Sequence, residues 1–340
     1  MRSLFPFSVL FSSTLITSTL IALSSSHWLM VWMSLELNLM SFIPLMSIKK
    51  TQQETEAAIK YFLAQAMGSA LLLFSLTLIF YPSSLTLNPL PYMIMVSSLL
   101  LKLGAAPLHF WFPNVMASLN WFSCLVLSTW QKLIPLMLII FSLTSFTPLF
   151  LQIIASMSAL VGGLGGINQA FLRPLLAYSS IGHMGWILGL SSVSAPLSLL
   201  YLFTYIVLLS PLMLIFLHLQ LSSLRQLFSP ILSSPSTRFS LLMLLMSLGG
   251  LPPLLGFLPK WMALQAFASW TPSSFLALAL IFGSLMNLFY YLNICFSLAL
   301  VSKINLSSAT PIDLPLRSTT LILPSTLMLL LTPTILMVFS

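Results

Sequence analysis

Apolar runs of about 20 residues follow one another along the whole chain, and a helix needs about that many to cross the hydrocarbon core of a bilayer. They occupy roughly 4–23, 27–46, 57–81, 91–118, 121–142, 148–168, 174–191, 196–219, 239–268, 274–300 and 319–339. Only 5% of the 340 residues are charged, too few for a water-soluble domain of this size to cover itself. The short alternating segments of a membrane barrel are missing. The pattern predicts an all-α polytopic membrane protein with about 11 transmembrane helices and short connections. The run that begins near Leu4 has no small-residue cleavage site behind it and reads as a first span, not a leader.

Two runs are too long for one straight helix and carry breakers inside. One holds LKLGAAPLHFWFP, with Lys102, Gly104, Pro107 and His109; the other holds LGGLPPLLGFLPKW, with Lys260. They lie five spans apart, so the chain enters them from opposite sides of the membrane. That spacing predicts two inverted five-helix repeats with a discontinuous helix in each, 1–142 and 148–300, followed by a loop and last span in 301–340. Interrupted helices at matching places point to an ion or substrate path near the midplane.

The formal net charge of +8 is not a nucleic-acid signal, because the twelve basic residues form no basic face. Threading the chain back and forth gathers Arg2, Lys49, Lys50, Arg173, Arg225, Arg238, Lys303 and Arg317 on one side. By the positive-inside rule this puts the N-terminus and the basic loops on the cytoplasm-equivalent side and the C-terminus across the membrane.

The chemistry lies in charges that sit where lipid would be. Glu36 is midway along WMSLELNLMSFIPL, Lys102 and Lys260 stand beside the two breaks, and Lys132 is central to STWQKLIP. Each such charge costs about 2.5–3.5 kcal/mol to insert, so the four together ask for on the order of 10 kcal/mol of pairing or hydration. A Glu36–Lys102 pair would respond to its own spacing and to local water. Lys132 has no acid in its own helix and suits a proton carrier. His109 and His183, the latter in AYSSIGHMGW, titrate in the range that could link such carriers, although a neutral histidine bonded between helices is as good a reading of either one alone. Lys60 is near a span end and can snorkel.

Other chemistries find no support. No span holds the two internal histidines of a bis-haem cytochrome, and there is no GxGxxG after a strand, no P-loop and no cysteine cluster. Cys124 and Cys295 read as isolated buried residues, and the GGLGG run from Gly162 to Gly166 as close helix packing.

Six ordered stretches, WMSLELNLMSFIPL, KYFLAQAMGS, LKLGAAPLHFWFP, TWQKLIP, AYSSIGHMGW and GGLPPLLGFLPKW, resemble the subunit 2 family of mitochondrial NADH:ubiquinone oxidoreductase, respiratory complex I. That family is one of the antiporter-like subunits of the membrane arm. The resemblance implies proton translocation across the mitochondrial inner membrane, coupled to electron transfer elsewhere in the complex, with the N-terminus on the matrix side. It matches Glu36 and Lys102 to the family's glutamate–lysine pair, Lys132 to its central lysine, Lys260 to the lysine of the second broken helix, and His183 to a histidine of the hydrophilic axis. His109 joins them as a candidate. The resemblance places NADH, FMN, iron–sulfur clusters and ubiquinone in other subunits, gives this chain no cofactor or metal, and makes its partners the other membrane-arm subunits and lipids such as cardiolipin, with no nucleic acid. The chain departs from a full duplication: His183 stands where the first repeat has Glu36, Tyr290 and Tyr291 stand where a lysine would, and Asn114 replaces an acid found in some relatives. The shorter N-terminal part resembles the animal form. A stand-alone cation/proton antiporter and a purely structural membrane-arm subunit are the rival readings, since one set of intramembrane charges serves all three.

Overall fold

The computed structural model describes residues 5–48, 51–80, 89–143, 147–228, 235–252, 254–268 and 274–301. The expected last span at 319–339, and with it Arg2, Lys49, Lys50, Lys303 and Arg317, lie outside the described residues. Among the described residues the chain is helical and has no strand; one isolated bridge pairs Phe171 with Ser223. Two compact units divide it, Met1–Leu151 and Gln152–Ser340.

In the first unit, α1 (Phe5–Ser24), α2 (Trp28–Met46) and α3 (Gln52–Phe80) are continuous. The run at 91–118 becomes α4 (Leu90–Leu103) and α5 (Trp111–Ser118), and the run at 121–142 becomes α6 (Trp121–Ser128), one 3-10 turn, and α7 (Leu133–Phe141). α8 (Thr147–Ile167) crosses from one unit into the next. The second unit continues with α9 (Leu172–Ser191), α10 (Ala195–Leu219), α11 (Pro235–Gly249), α12 (Phe257–Ala268) and α13 (Ser274–Val301). Seven segments among the described residues are long and apolar enough to cross a membrane, and α4 and α11 are shorter apolar helices.

The distribution of side chains is that of a protein solvated by lipid. Leu20, Leu29, Leu63, Met67 and Phe203 are exposed, while Lys102, Lys132, Lys260 and His183 are buried. A soluble protein shows the reverse. Where no neighbour helps, buried hydroxyls bond within their own helix: Ser34 donates to Val31 O at 2.6 Å and Ser75 to Leu72 O at 2.7 Å.

Close helix approach organises the second unit around α9, which is buried along nearly its whole length. A Cβ on Gly162 would collide with the backbone of Gly182 on α9, and one on Gly165 with the ring of Tyr178. On the other face of α8, a Cβ on Gly163 would meet Gly283 O on α13 at 2.8 Å and one on Gly166 the ring of Tyr290 at 2.6 Å. The GGLGG run is therefore a two-sided packing stripe, as expected of small residues between membrane helices. Cys124 and Cys295 are free and buried.

Both broken helices end in the same way. Gly104 (φ 71°) follows α4, with Gly104 N–H on Leu101 O at 3.1 Å and Ala105 N–H on Leu100 O at 3.2 Å. Gly250 (φ 82°) follows α11, with its N–H on Ser247 O at 3.0 Å and Leu251 N–H on Met246 O at 3.3 Å. This pairing is the Schellman motif, whose left-handed residue is glycine because a Cβ there is strained.

Candidate functional site

In the first unit, the break after α4 brings polar groups together. The Lys102 side chain runs along α3, where a Cβ on Gly68 would stand 3.0 Å from its Cγ. Carbonyls at the break take side-chain donors: Gln65 Nε2 donates to Lys102 O at 3.2 Å, and Trp111 Nε1 joins Gly104 N–H on Leu101 O at 3.0 Å. Lys102 is 7% exposed, so its amine is held away from lipid and bulk water alike.

Lys132 closes the 3-10 turn between α6 and α7 and is 2% exposed. Its Nζ stands 4.9 Å from the centroid of Phe112, a cation–π distance. Beside it Gln131 Nε2 donates to Asn38 Oδ1 on α2 at 2.7 Å. Lys102, Lys132, Asn38, Gln65 and Gln131 line one cavity with about 20 Å³ for a water centre, room for about one molecule.

Glu36 is half-buried on α2. It is the acid whose charge Lys102 senses, but the two groups act through space without an ion contact, whereas Lys60 Nζ meets Glu56 Oε1 directly at 2.6 Å on an exposed face of α3. His109 is 6% exposed in the connection between α4 and α5, with Nδ1 3.3 Å from Pro107 O and its ring 4.4 Å from that of Phe110. It is not among the residues that line the lysine cavity. Glu54, near the start of α3, accepts from Asn120 Nδ2, which ties α3 to the first residue of the α6 turn.

The second unit has a different arrangement. Lys260 Nζ donates to Gly249 O at 2.8 Å, so the amine reaches back across the break to the last carbonyls of α11. A Cβ on Gly250 would stand 2.5 Å from that Nζ, which makes glycine necessary twice over. Among the described residues of the second unit there is no acid: Glu36, Glu54 and Glu56 belong to the first unit, and Asp313 lies outside the described residues. The negative end of the helix dipole stands in for a carboxylate. His183 is 5% exposed; its Nδ1 is 3.0 Å from Tyr201 Oη, and its ring centroid 5.2 Å from that of Tyr205. Both tyrosines belong to α10.

The structure thus brings Lys102 and Lys132 to one cavity, with Glu36 in electrostatic reach, and gives His183 and Lys260 each a polar partner in the other unit. Reading the sequence for charge passed over the amides Asn38, Gln65 and Gln131, though an amide inside an apolar run is itself a signal. It also passed over Tyr201 and Tyr205, which a tyrosine's ordinary place in apolar segments conceals.

The chain matches the family model described as NADH:quinone oxidoreductase/Mrp antiporter, TM, over residues 25–287. It is 47% identical over 293 residues to the NADH-ubiquinone oxidoreductase chain 2 of Lumbricus terrestris, covering 86% of this chain and 87% of that one. The protein of the same name from Xenopus laevis is 42% identical over 312 residues, 89% of each. A chain in the structure of respiratory complex I from Thermus thermophilus with bound aureothin superposes with a TM-score of 0.79 at 25% identity, covering 96% of this chain and 77% of that chain.

Proposed function

We propose, because the chain belongs to the NADH:quinone oxidoreductase/Mrp antiporter transmembrane family, that it is an antiporter-like membrane-arm subunit of respiratory complex I that moves protons across the mitochondrial inner membrane. Its relatives' names and its superposition on a complex I chain support that reading. The observation that carries it is the burial of Lys102, Lys132 and Lys260 beside helix breaks. A buried amine is poised between holding and releasing a proton, and the discontinuity supplies polar backbone to stabilise either form.

The working step in the first unit follows from the cavity. When Glu36 draws away from Lys102, or water between them changes, the ammonium form of Lys102 loses its counter-charge. One N–H bond of Lys102 breaks, its proton passes to a water in the cavity, and that water gives a proton to the neutral amine of Lys132, where a new N–H bond forms. Asn38, Gln65 and Gln131 orient the water and the lysines. In the second unit His183 and Lys260 hold protons in turn. His109, set apart from the cavity, serves at the entrance beside the α4 break. The chain reads as two inverted repeats, 1–142 and 148–300, each with a glycine-ended helix break beside a lysine.

Arg173 and Arg225 support the matrix-facing orientation of the basic loops. The Phe171–Ser223 bridge holds the start of α9 beside the turn after α10, which places both arginines at one end of the unit, and Arg238 opens α11. Redox cofactors belong to other subunits, and the exposed apolar faces meet neighbouring membrane-arm subunits and lipids, cardiolipin among them.

Lys132→Met in the assembled complex tests the relay. NADH oxidation is expected to persist while fewer protons cross per NADH oxidised. An unchanged ratio in a fully assembled complex would overturn the role of Lys132.

A further inference from the structure

Resting on that reading, we infer that tyrosine hydroxyls, with Tyr205 at their centre, carry protons between His183 and the Lys260 break. Among the described residues of this unit there is no carboxylate side chain to carry a proton. The polar groups buried between α9, α10 and α13 are mostly hydroxyls, with the Asn287 amide beside Gly182. Ser179 and Ser180 lie one turn before His183 on α9; Tyr205 stands against Ser180, and Tyr290 and Tyr291 stand against Ser179. The rings of Tyr290 and Tyr291 are 4.7 Å apart, and Tyr205 and Tyr291 are close enough to interact electrostatically.

The two ends of this cluster meet the two groups already assigned. At one end His183 packs 5.2 Å from the Tyr205 ring while Tyr201 Oη engages its Nδ1 at 3.0 Å. At the other, a Cβ on Gly249 would lie 3.9 Å from Tyr291 Cδ2, and Gly249 O is the carbonyl that Lys260 Nζ holds at 2.8 Å. Tyr201, Tyr205, Tyr290 and Tyr291 are each no more than 4% exposed.

A phenol suits this position because it is donor and acceptor at once. It takes a proton on an oxygen lone pair as its own O–H bond breaks toward the next acceptor, so one O–H forms for each lost and the ring ends neutral.

Tyr205→Phe in the assembled complex removes the hydroxyl and keeps the ring. The expected result is a normal amount of complex by native electrophoresis, fewer protons per NADH, and proton release slowed by about 100-fold, the lower end for loss of a positioned proton-transfer group. Lys260→Met is measured in parallel. If Lys260→Met loses pumping and Tyr205→Phe does not, the tyrosine path is wrong and the function stands. If both pump normally, the functional reading fails with it. Should Tyr205→Phe fail to assemble, a fluorinated tyrosine at position 205 keeps shape and hydroxyl but changes its acidity; a rate of proton release that follows that acidity supports the path, and an unchanged rate overturns it.

Discussion

Ser34, Ser75 and Ser98 each donate to the carbonyl three residues earlier, so a buried hydroxyl in these helices is satisfied within its own turn. Lys102, Lys132 and Gln131 instead reach beyond their own turns, to α3, α5 and α2. That difference explains what could be read from the sequence. The buried charges were legible because each is expensive in an apolar run. Gly68 was not, because its importance comes from a stem lying 3.0 Å from where its Cβ would be, a relation no local pattern encodes. Replacing it with valine should slightly favour α3, as valine is a few tenths of a kcal/mol better than glycine in a helix, while overpacking the Lys102 stem by about 1–3 kcal/mol. The expected outcome is an assembled complex with a lower proton-to-NADH ratio, and a smaller effect in the same direction for Gly68→Ala. A ratio unchanged in both variants would show that the position of the Lys102 stem does not matter.

At the scale of elements, two of the three interruptions were announced by Gly and Pro, and the third was not. The run at 121–142 reads as one span, yet it opens into a 3-10 turn at Trp130–Lys132. The cause lies one turn later: Pro135 has no N–H to donate to the carbonyl of Gln131, and the helix loosens there. Thr129 contributes by turning its hydroxyl onto Leu125 O at 2.7 Å. A proline inside an apolar run is common enough in membranes that its presence alone did not mark a break. The break after α11 offers the sharper test. Gly250→Ala must adopt φ near 82° and displace Lys260 Nζ from 2.5 Å, for a cost of about 1–2 kcal/mol from the backbone alone. Assembly measured by thermal stability of the complex should fall, and pumping should fall further than stability. Equal stability in the variant would mean that the Schellman end is not under strain.

Across the described residues, the apolar exterior was foreseeable from hydropathy, since only the run lengths and the scarcity of charge are needed. The pairing of helices through the GGLGG stripe needed the structure to show which glycine faces α9 and which faces α13. Orientation can be measured directly, because Cys124 and Cys295 are buried and leave a low background. A membrane-impermeant maleimide added to mitoplasts should label Pro196→Cys, exposed at the end of the unit away from Arg173, and should reach the exposed Arg225→Cys only in inside-out particles. The opposite pattern would reverse the assignment.

The hydrogen bond from Lys260 to Gly249 O gives the two units unlike electrical characters. A carboxylate such as Glu36 can be switched off by a proton, so the field around Lys102 has two settings. The end of a helix has no proton to gain, and its attraction for Lys260 is permanent. One lysine therefore sits beside an adjustable valve and the other beside a fixed spring. In the proposed relay, a change in a neighbour's charge therefore acts on Lys102 and has no counterpart in the fixed dipole that faces Lys260.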